Sequence, residues 1–205
     1  MRFERMQKII NLLKETELAG MVFNPGPTLT YLTGMQFHLM ERPTLLLVKQ
    51  TGEAAMILPE LEKGKLPLES DLIQPFTYGD NPDTWKGVFN EASRLLNLRQ
   101  AKVGIAPNRM RFMELQFLEE AFPGVEFVDG GQVIENLRII KDEDEINNMR
   151  TAAQIAQKAL LAALRLIHIG TVSYTHLTLP TTKALCCSRG GGGVVEGGGG
   201  GGGGG

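Results

Sequence analysis

Residues Lys102–Val128, with the sequence KVGIAPNRMRFMELQFLEEAFPGVEFV, contain the pattern that decides the fold. Lys102–Ile105 is a short apolar strand, and Arg111–Ala121 carries leucines at helical spacing. Pro123-Gly124 predicts a turn into a second strand, Val125–Val128. A strand, a helix and another strand in succession indicate helices packed against a sheet.

The same alternation extends toward the N-terminus. Glu4–Thr16 places its apolar residues on one helical face, and Met21–Phe23 follows as a strand. The next four residues, Asn24–Pro27, predict a turn, because proline removes a donor and glycine permits a positive φ. We expect a short helix through Thr28–Leu32, ended by Gly34.

The middle of the chain adds a hairpin and an edge strand. Thr44–Val48 and Ala54–Leu58 are apolar runs separated by a turn, a spacing typical of a β-hairpin. Leu72–Tyr78 contains a proline, which favours an edge position in a sheet. Helical spacing from Trp85 onward predicts a helix with that tryptophan in the core or an interface. The expected fold is therefore α/β, a layered mixed sheet with helices packed on it.

Composition and charge exclude several classes of protein. The 205 residues carry 21 basic and 23 acidic groups, a net charge of −2, which argues against nucleic acid as the main partner. No apolar stretch is long enough to span a membrane, and the N-terminus does not resemble a signal peptide. A cytoplasmic protein is the expectation. Both cysteines, Cys186 and Cys187, lie near the C-terminus, so the rest of the chain has no thiolate metal site.

The last part of the sequence departs from the pattern of a folded protein. Val172–Thr181 resembles the translation of a transposase-type sequencing-library adapter. More than half of the 25 glycines follow in two homopolymeric runs. We expect residues 171–205 to be an artefactual, disordered tail, the alternative being a natural Gly-rich one.

The most specific motif is the junction Leu137–Ala153, LRIIKDEDEINNMRTAA. It resembles the LR-x-I-K-x-x-x-E-I-x-x-M/I-R-x-A junction of the Xaa-Pro peptidase, prolidase and creatinase family, which joins an N-terminal α/β domain to a pita-bread catalytic domain. Two weaker motifs agree with this resemblance: Asn24–Gly34 is similar to the family's N-x-x-Y-L-T-G stretch, and Glu41-Arg42-Pro43 leads into an apolar strand.

The resemblance implies a dinuclear metallopeptidase, either an aminopeptidase or a dipeptidase, that cleaves the bond before proline and acts as a homodimer. Two divalent ions, manganese, cobalt or zinc, would be held by two Asp, one His and two Glu of the catalytic domain. We expect those ligands beyond the junction, so no catalytic residue or metal ligand is assigned in this chain. The acidic run Asp142–Glu145 is better explained as a helix start, since consecutive helical side chains diverge.

Three residues are candidates for the substrate pocket. The resemblance implies that the N-terminal domain covers the catalytic cleft and supplies pocket residues. His38 and Arg42 lie between a short helix and a strand, and Arg42 has the chemistry to pair with a substrate carboxylate. Tyr31 is the third candidate. For each the alternative is structural: a surface ion pair for Arg42, a loop cap for His38 and a packed ring for Tyr31.

These observations predict three segments. Residues 1–137 are the N-terminal domain, 138–170 the junction and first helix of a truncated catalytic domain, and 171–205 the tail. The expected role is that of a regulatory, substrate-pocket and dimerisation domain, itself inactive, which meets peptide substrate through the missing domain. The alternatives are a standalone dimerisation or binding module and a fragment of a creatinase-like amidinohydrolase.

Overall fold

Six strands form one mixed sheet that has helices on both faces. The computed structural model describes residues 3–66 and 72–165. The strands are β1 (Leu18–Phe23), β2 (Leu45–Lys49), β3 (Ala54–Pro59), β4 (Ile73–Tyr78), β5 (Lys102–Ile105) and β6 (Glu126–Asp129). The helices are α1 (Phe3–Lys14), α2 (Pro27–Thr33), α3 (Trp85–Leu96), α4 (Phe112–Ala121), α5 (Gly131–Ile139) and α6 (Glu143–Arg165). Two short 3-10 helices, Glu60–Lys65 and Pro82–Thr84, flank β4.

The order of the strands is β4-β3-β2-β1-β5-β6. β2 is antiparallel to both β1 and β3, whereas β4 pairs parallel to β3, and β5 and β6 continue parallel from β1. The predicted mixed α/β sheet is confirmed. So is the edge position of β4, which contains Pro75 opposite Met56.

Alternation along the central strands divides the core into two layers. Met21 and Phe23 face one layer, which α1, α2 and α5 cover, whereas Val22 faces the other, which α3 and α4 cover. Successive side chains of a strand point to opposite faces, so a strand buried on both sides is apolar throughout. The result is a sheet between two helical layers.

Local turn chemistry sets several boundaries as the sequence predicts. Pro27 occupies the first turn of α2, where its missing N–H costs no hydrogen bond. Gly34 ends the same helix in the left-handed region, with φ of 76°. Trp85 is buried, packs against the Tyr78 ring at a tilted angle and donates from Nε1 to the Gly79 carbonyl at 3.1 Å, so it is a core residue.

The chain divides into two compact units, Met1–Asp142 and Glu143–Gly205. Of the second unit the structure describes α6, whose apolar side chains, including Met149, Ile155 and Leu160, are exposed. The end of the predicted junction segment, 166–170, and the predicted tail, 171–205, lie outside the described residues. Within the described part of the chain, no helix combines the length and the apolar character needed to cross a bilayer.

Candidate functional site

The topology of the sheet has a switch point between β1 and β5. β1 and β5 are parallel neighbours, but the chain leaves β1 for α2 on one face and leaves β5 for α4 on the other. In open α/β sheets, ligands bind outside the carboxyl ends of the strands at such a switch point. β3 and β4 run parallel to β1, so the end of β4 and the start of β2 lie at the same edge.

A fully buried carboxylate lies at this edge. Glu114, in the first turn of α4, has a side chain that is 0% exposed. Its Oε2 accepts from the Arg111 backbone N–H at 3.2 Å and from Asn24 Nδ2, and its Oε1 accepts from Arg111 Nη2 at 2.5 Å. Asn24 directly follows β1 and is itself buried. The carboxylate also lies at the positive end of the helix dipole, which favours its charge.

Arg111 also donates hydrogen bonds to the segment that precedes β2. We call residues 35–44 the approach loop, because they connect α2 to β2. Arg111 Nη1 donates to the Met40 carbonyl, and Nη2 donates to the Arg42 carbonyl at 3.5 Å as well as to Glu114. A guanidinium presents several donors in a fixed fork, so one side chain can serve three acceptors.

Tyr78, the last residue of β4, holds the next carbonyl of the approach loop. Its hydroxyl donates to the Pro43 carbonyl at 2.5 Å. Burial raises the pKa of the Tyr78 phenol well above its ordinary value of 10.0. The positive charges of Arg42 and Arg111 oppose this rise in pKa, and the negative charge of Glu114 adds to it. The phenol is therefore a neutral donor throughout the physiological range.

We refer to Asn24, Tyr78, Arg111 and Glu114 as the switch-point network. Sequence reasoning missed all four, since they belong to elements far apart in the chain. One signal was available: an arginine precedes a glutamate by three residues at a helix start. At that spacing the glutamate can cap the arginine's backbone N–H.

The predicted pocket residues occupy two different places. His38 and Arg42 both belong to the approach loop, where His38 is exposed and Arg42 Nη1 pairs with Asp80 Oδ1 at 2.7 Å. Asp80 is 82% exposed, so this ion pair lies in water. The loop thus brings two of the three candidates together, beside the switch-point network.

Tyr31 lies on α2 among structural contacts. The Arg5 guanidinium lies 3.9 Å from the centre of the Tyr31 ring, and the Tyr31 hydroxyl donates to the Leu137 carbonyl at 3.3 Å. Arg5 also donates to the Tyr31 carbonyl at 3.1 Å and forms an ion pair with Asp142 at 2.7 Å. These contacts link α1 and α2 to the end of the first unit. A role for Tyr31 toward substrate stays a prediction.

Residues 3–66 and 72–165 contain no group of three His, Cys, Asp or Glu side chains that could hold a metal ion. They therefore do not fit the metal pair that the family resemblance implies. The chemistry that this edge of the sheet offers is different: arginines for an anionic group, backbone carbonyls held in place, and an exposed imidazole.

Comparisons with known proteins agree on the first unit. A family model described as the creatinase/prolidase N-terminal domain matches residues 5–140. The chain is similar to a putative dipeptidase, YkvY, of Bacillus subtilis, 24% identical over 164 residues that cover 78% of this chain and 45% of the relative. It is also similar to a probable dipeptidase, PepE, of Mycobacterium tuberculosis, 29% identical over 140 residues that cover 66% and 35%.

A solved structure extends the similarity to the fold. The crystal structure of a dipeptidase from Pyrococcus horikoshii matches with a TM-score of 0.71 and 26% identity, over 80% of this chain and 44% of that one. The chain thus spans less than half the length of each of these three proteins.

Proposed function

The chain belongs to the creatinase/prolidase N-terminal domain family, and on that premise we propose that it is the pocket-forming and dimerisation domain of a dinuclear metal-dependent Xaa-Pro peptidase. The observation that carries the proposal is the match over residues 5–140 together with relatives that are named dipeptidases and continue well beyond the matched part. The parent enzyme would work in the cytoplasm as a homodimer.

The approach loop is the part of the domain that we propose meets the substrate. A dipeptide that ends in proline has a free carboxylate, which Arg42 can bind through two parallel hydrogen bonds. The present partner of Arg42, Asp80, is exposed, and exposed ion pairs contribute only about 0–1 kcal/mol. A substrate carboxylate that is shielded from water can therefore replace Asp80. His38 is exposed and would contact the peptide from the same loop.

The metal pair belongs to the part of the parent enzyme that this chain does not include. Two divalent ions, manganese, cobalt or zinc, would supply an activated water and polarise the scissile carbonyl. No residue of the described chain takes part in that chemistry, so we propose that the chain by itself does not hydrolyse peptides.

The test is to extend the reading frame from genomic sequence and assay the product. We expect the extension to carry two Asp, one His and two Glu as ligands, and the completed enzyme to cleave Xaa-Pro dipeptides when manganese is added. The 205-residue chain should give no turnover under the same conditions. An extension without those ligands, turnover by the chain alone, or urea release from creatine in place of peptide cleavage would each contradict the proposal.

The role of Arg42 has its own measurement. In the completed enzyme, Arg42→Ala removes a charge-assisted contact worth about 1.5–3 kcal/mol, so KM for a Xaa-Pro dipeptide should rise about ten- to a hundredfold. Arg94→Ala is a matched control, because Arg94 is an exposed arginine of α3. An unchanged KM in Arg42→Ala would show that Arg42 does not bind the substrate.

A further inference from the structure

The backbone of the approach loop is held by side chains from two other elements. Three of its carbonyls, those of Met40, Arg42 and Pro43, accept hydrogen bonds from Arg111 or Tyr78. The loop is buried at its two ends, at Met35, Phe37, Pro43 and Thr44, but residues 38–41 between them are exposed, and Met40 is 65% exposed. A stretch without buried side chains depends on such bonds for a defined conformation.

Arg111 is the more informative of the two donors, because it is itself anchored. Its side chain is 29% exposed, and Nη2 is shared between the Arg42 carbonyl and the fully buried carboxylate of Glu114. Glu114 in turn is fixed by Asn24 and by the backbone at the start of α4. The start of α4 therefore anchors the guanidinium that donates to the Arg42 carbonyl.

We infer that Arg111 is a positioning residue for the substrate pocket: anchored on Glu114, it fixes the backbone at Arg42 and so the direction in which the Arg42 side chain leaves the loop. This inference rests on the proposed function, in which Arg42 binds the substrate carboxylate. Arg111 itself acts through the loop backbone and does not contact substrate. The guanidinium fork is essential, because a lysine ammonium keeps the charge but is a point donor and loses the fixed geometry.

The first test uses the 205-residue chain as it is. Arg111→Lys should accelerate chymotrypsin cleavage after the exposed Leu39 or Met40 by at least about tenfold, because the loop opens more often once the bonds to its carbonyls are lost. Arg94→Lys, the same substitution at an exposed site of α3, should leave that cleavage rate unchanged. Cleavage of the loop in Arg111→Lys at the wild-type rate would overturn the inference.

The second test separates positioning from a general loss of structure. In the completed enzyme, Arg111→Lys should raise KM for a Xaa-Pro dipeptide by about tenfold or more, since small displacements of a binding group are costly, while kcat stays close to wild type. In an Arg42→Ala background the same Arg111→Lys change should have no further effect on KM. Additive effects on KM would show that Arg111 does not act through Arg42, and would refute the inference.

The two tests also keep this inference distinct from the proposed function. If the completed wild-type enzyme does not cleave Xaa-Pro dipeptides, the proposed function fails, whereas the rate of chymotrypsin cleavage still decides whether Arg111 holds the loop. If the enzyme is active and the effect on loop cleavage or on KM is absent, the inference alone fails.

Discussion

Replacing the buried carboxylate of Glu114 tests the centre of the switch-point network. Its oxygens accept three hydrogen bonds. Oε1 accepts one from Arg111 Nη2, and Oε2 accepts one from Asn24 and one from the Arg111 backbone N–H. In Glu114→Gln one oxygen becomes an amide NH2, which cannot accept. The better orientation keeps oxygen at the Oε2 position, so that the bonds from Asn24 and from the Arg111 backbone survive. Only the bond from Arg111 Nη2 is lost.

The magnitude follows from these contacts. A hydrogen bond to a charged group contributes about 1.5–3 kcal/mol, and Arg111 is exposed enough to regain water, so Glu114→Gln should cost about 1.5–2 kcal/mol. Glu114→Ala loses all three bonds, leaves the Asn24 amide buried without its acceptor and opens a cavity. The lost bonds, the unpaired Asn24 amide and the cavity together should cost about 3–5 kcal/mol in the alanine variant.

The measurement is urea unfolding of the 205-residue chain, followed by circular dichroism. Glu119→Gln is the matched control: it makes the same change at an exposed position of α4, and it should lie within about 0.5 kcal/mol of wild type. A glutamine variant as stable as wild type would refute the hydrogen-bonding scheme at Oε1. If Glu114→Gln and Glu114→Ala lost the same unfolding free energy, the two bonds at Oε2 would not survive in the glutamine variant.

The remaining predictions concern the phenol at the end of β4 and two glycines, Gly104 in β5 and Gly87 in α3. Because the pKa of Tyr78 is raised in the folded state, its contribution to stability is complete below pH 10 and is lost as the pH rises further. Between pH 9 and about pH 11, the free energy of unfolding should therefore fall less in Tyr78→Phe than in wild type. An equal fall in the two proteins would contradict the burial of the phenol. Gly104→Ala should cost about 1–3 kcal/mol in thermal unfolding, because the new methyl group would collide with Met21 Sδ and lie 3.2 Å from a backbone Cα. Gly87→Ala, in a helix and with nothing within 4 Å, should instead stabilise by about 0.5–1 kcal/mol, and the same sign at both glycines would refute the steric reasoning.

The sequence predicts most elements because the signals for them are local. Pro27 and Gly34 bound α2 by their own backbone preferences, and the proline of β4 marks an edge strand. β1 shows the limit of such reasoning. The apolar pattern predicts a strand from Met21, but β1 begins at Leu18, since β2 and β5 pair with it on both sides. At Gly20 only a glycine suits the pairing, because a Cβ would lie 2.8 Å from the Val48 carbonyl oxygen.

The switch-point network is not predictable in the same way, because it depends on the order of the strands. Asn24 and Glu114 are 90 positions apart, and Arg111 reaches a carbonyl 71 positions away. Alternating helices and strands do not say which strands are neighbours, nor that β1 and β5 send their helices to opposite faces. A glutamate in the first turn of a helix is ordinarily exposed to solvent, so its burial here could not be anticipated.

Under the proposed function, the residues found from the sequence and those found from the structure would have complementary roles. His38 and Arg42 stand out in the sequence because loop residues with functional chemistry suggest binding. Arg111 and Glu114 become visible only in the structure, where Arg111 donates to the carbonyls of Met40 and Arg42 and is anchored on Glu114. An apolar cluster would hold the approach loop without the cost of burying a charge. It would not, however, direct the carbonyls of Met40 and Arg42, because apolar contacts have no orientation. A charged pair such as Arg111 and Glu114 is therefore the expected support where the direction of the Arg42 side chain matters for binding. The KM measurements on Arg111→Lys test whether that direction matters.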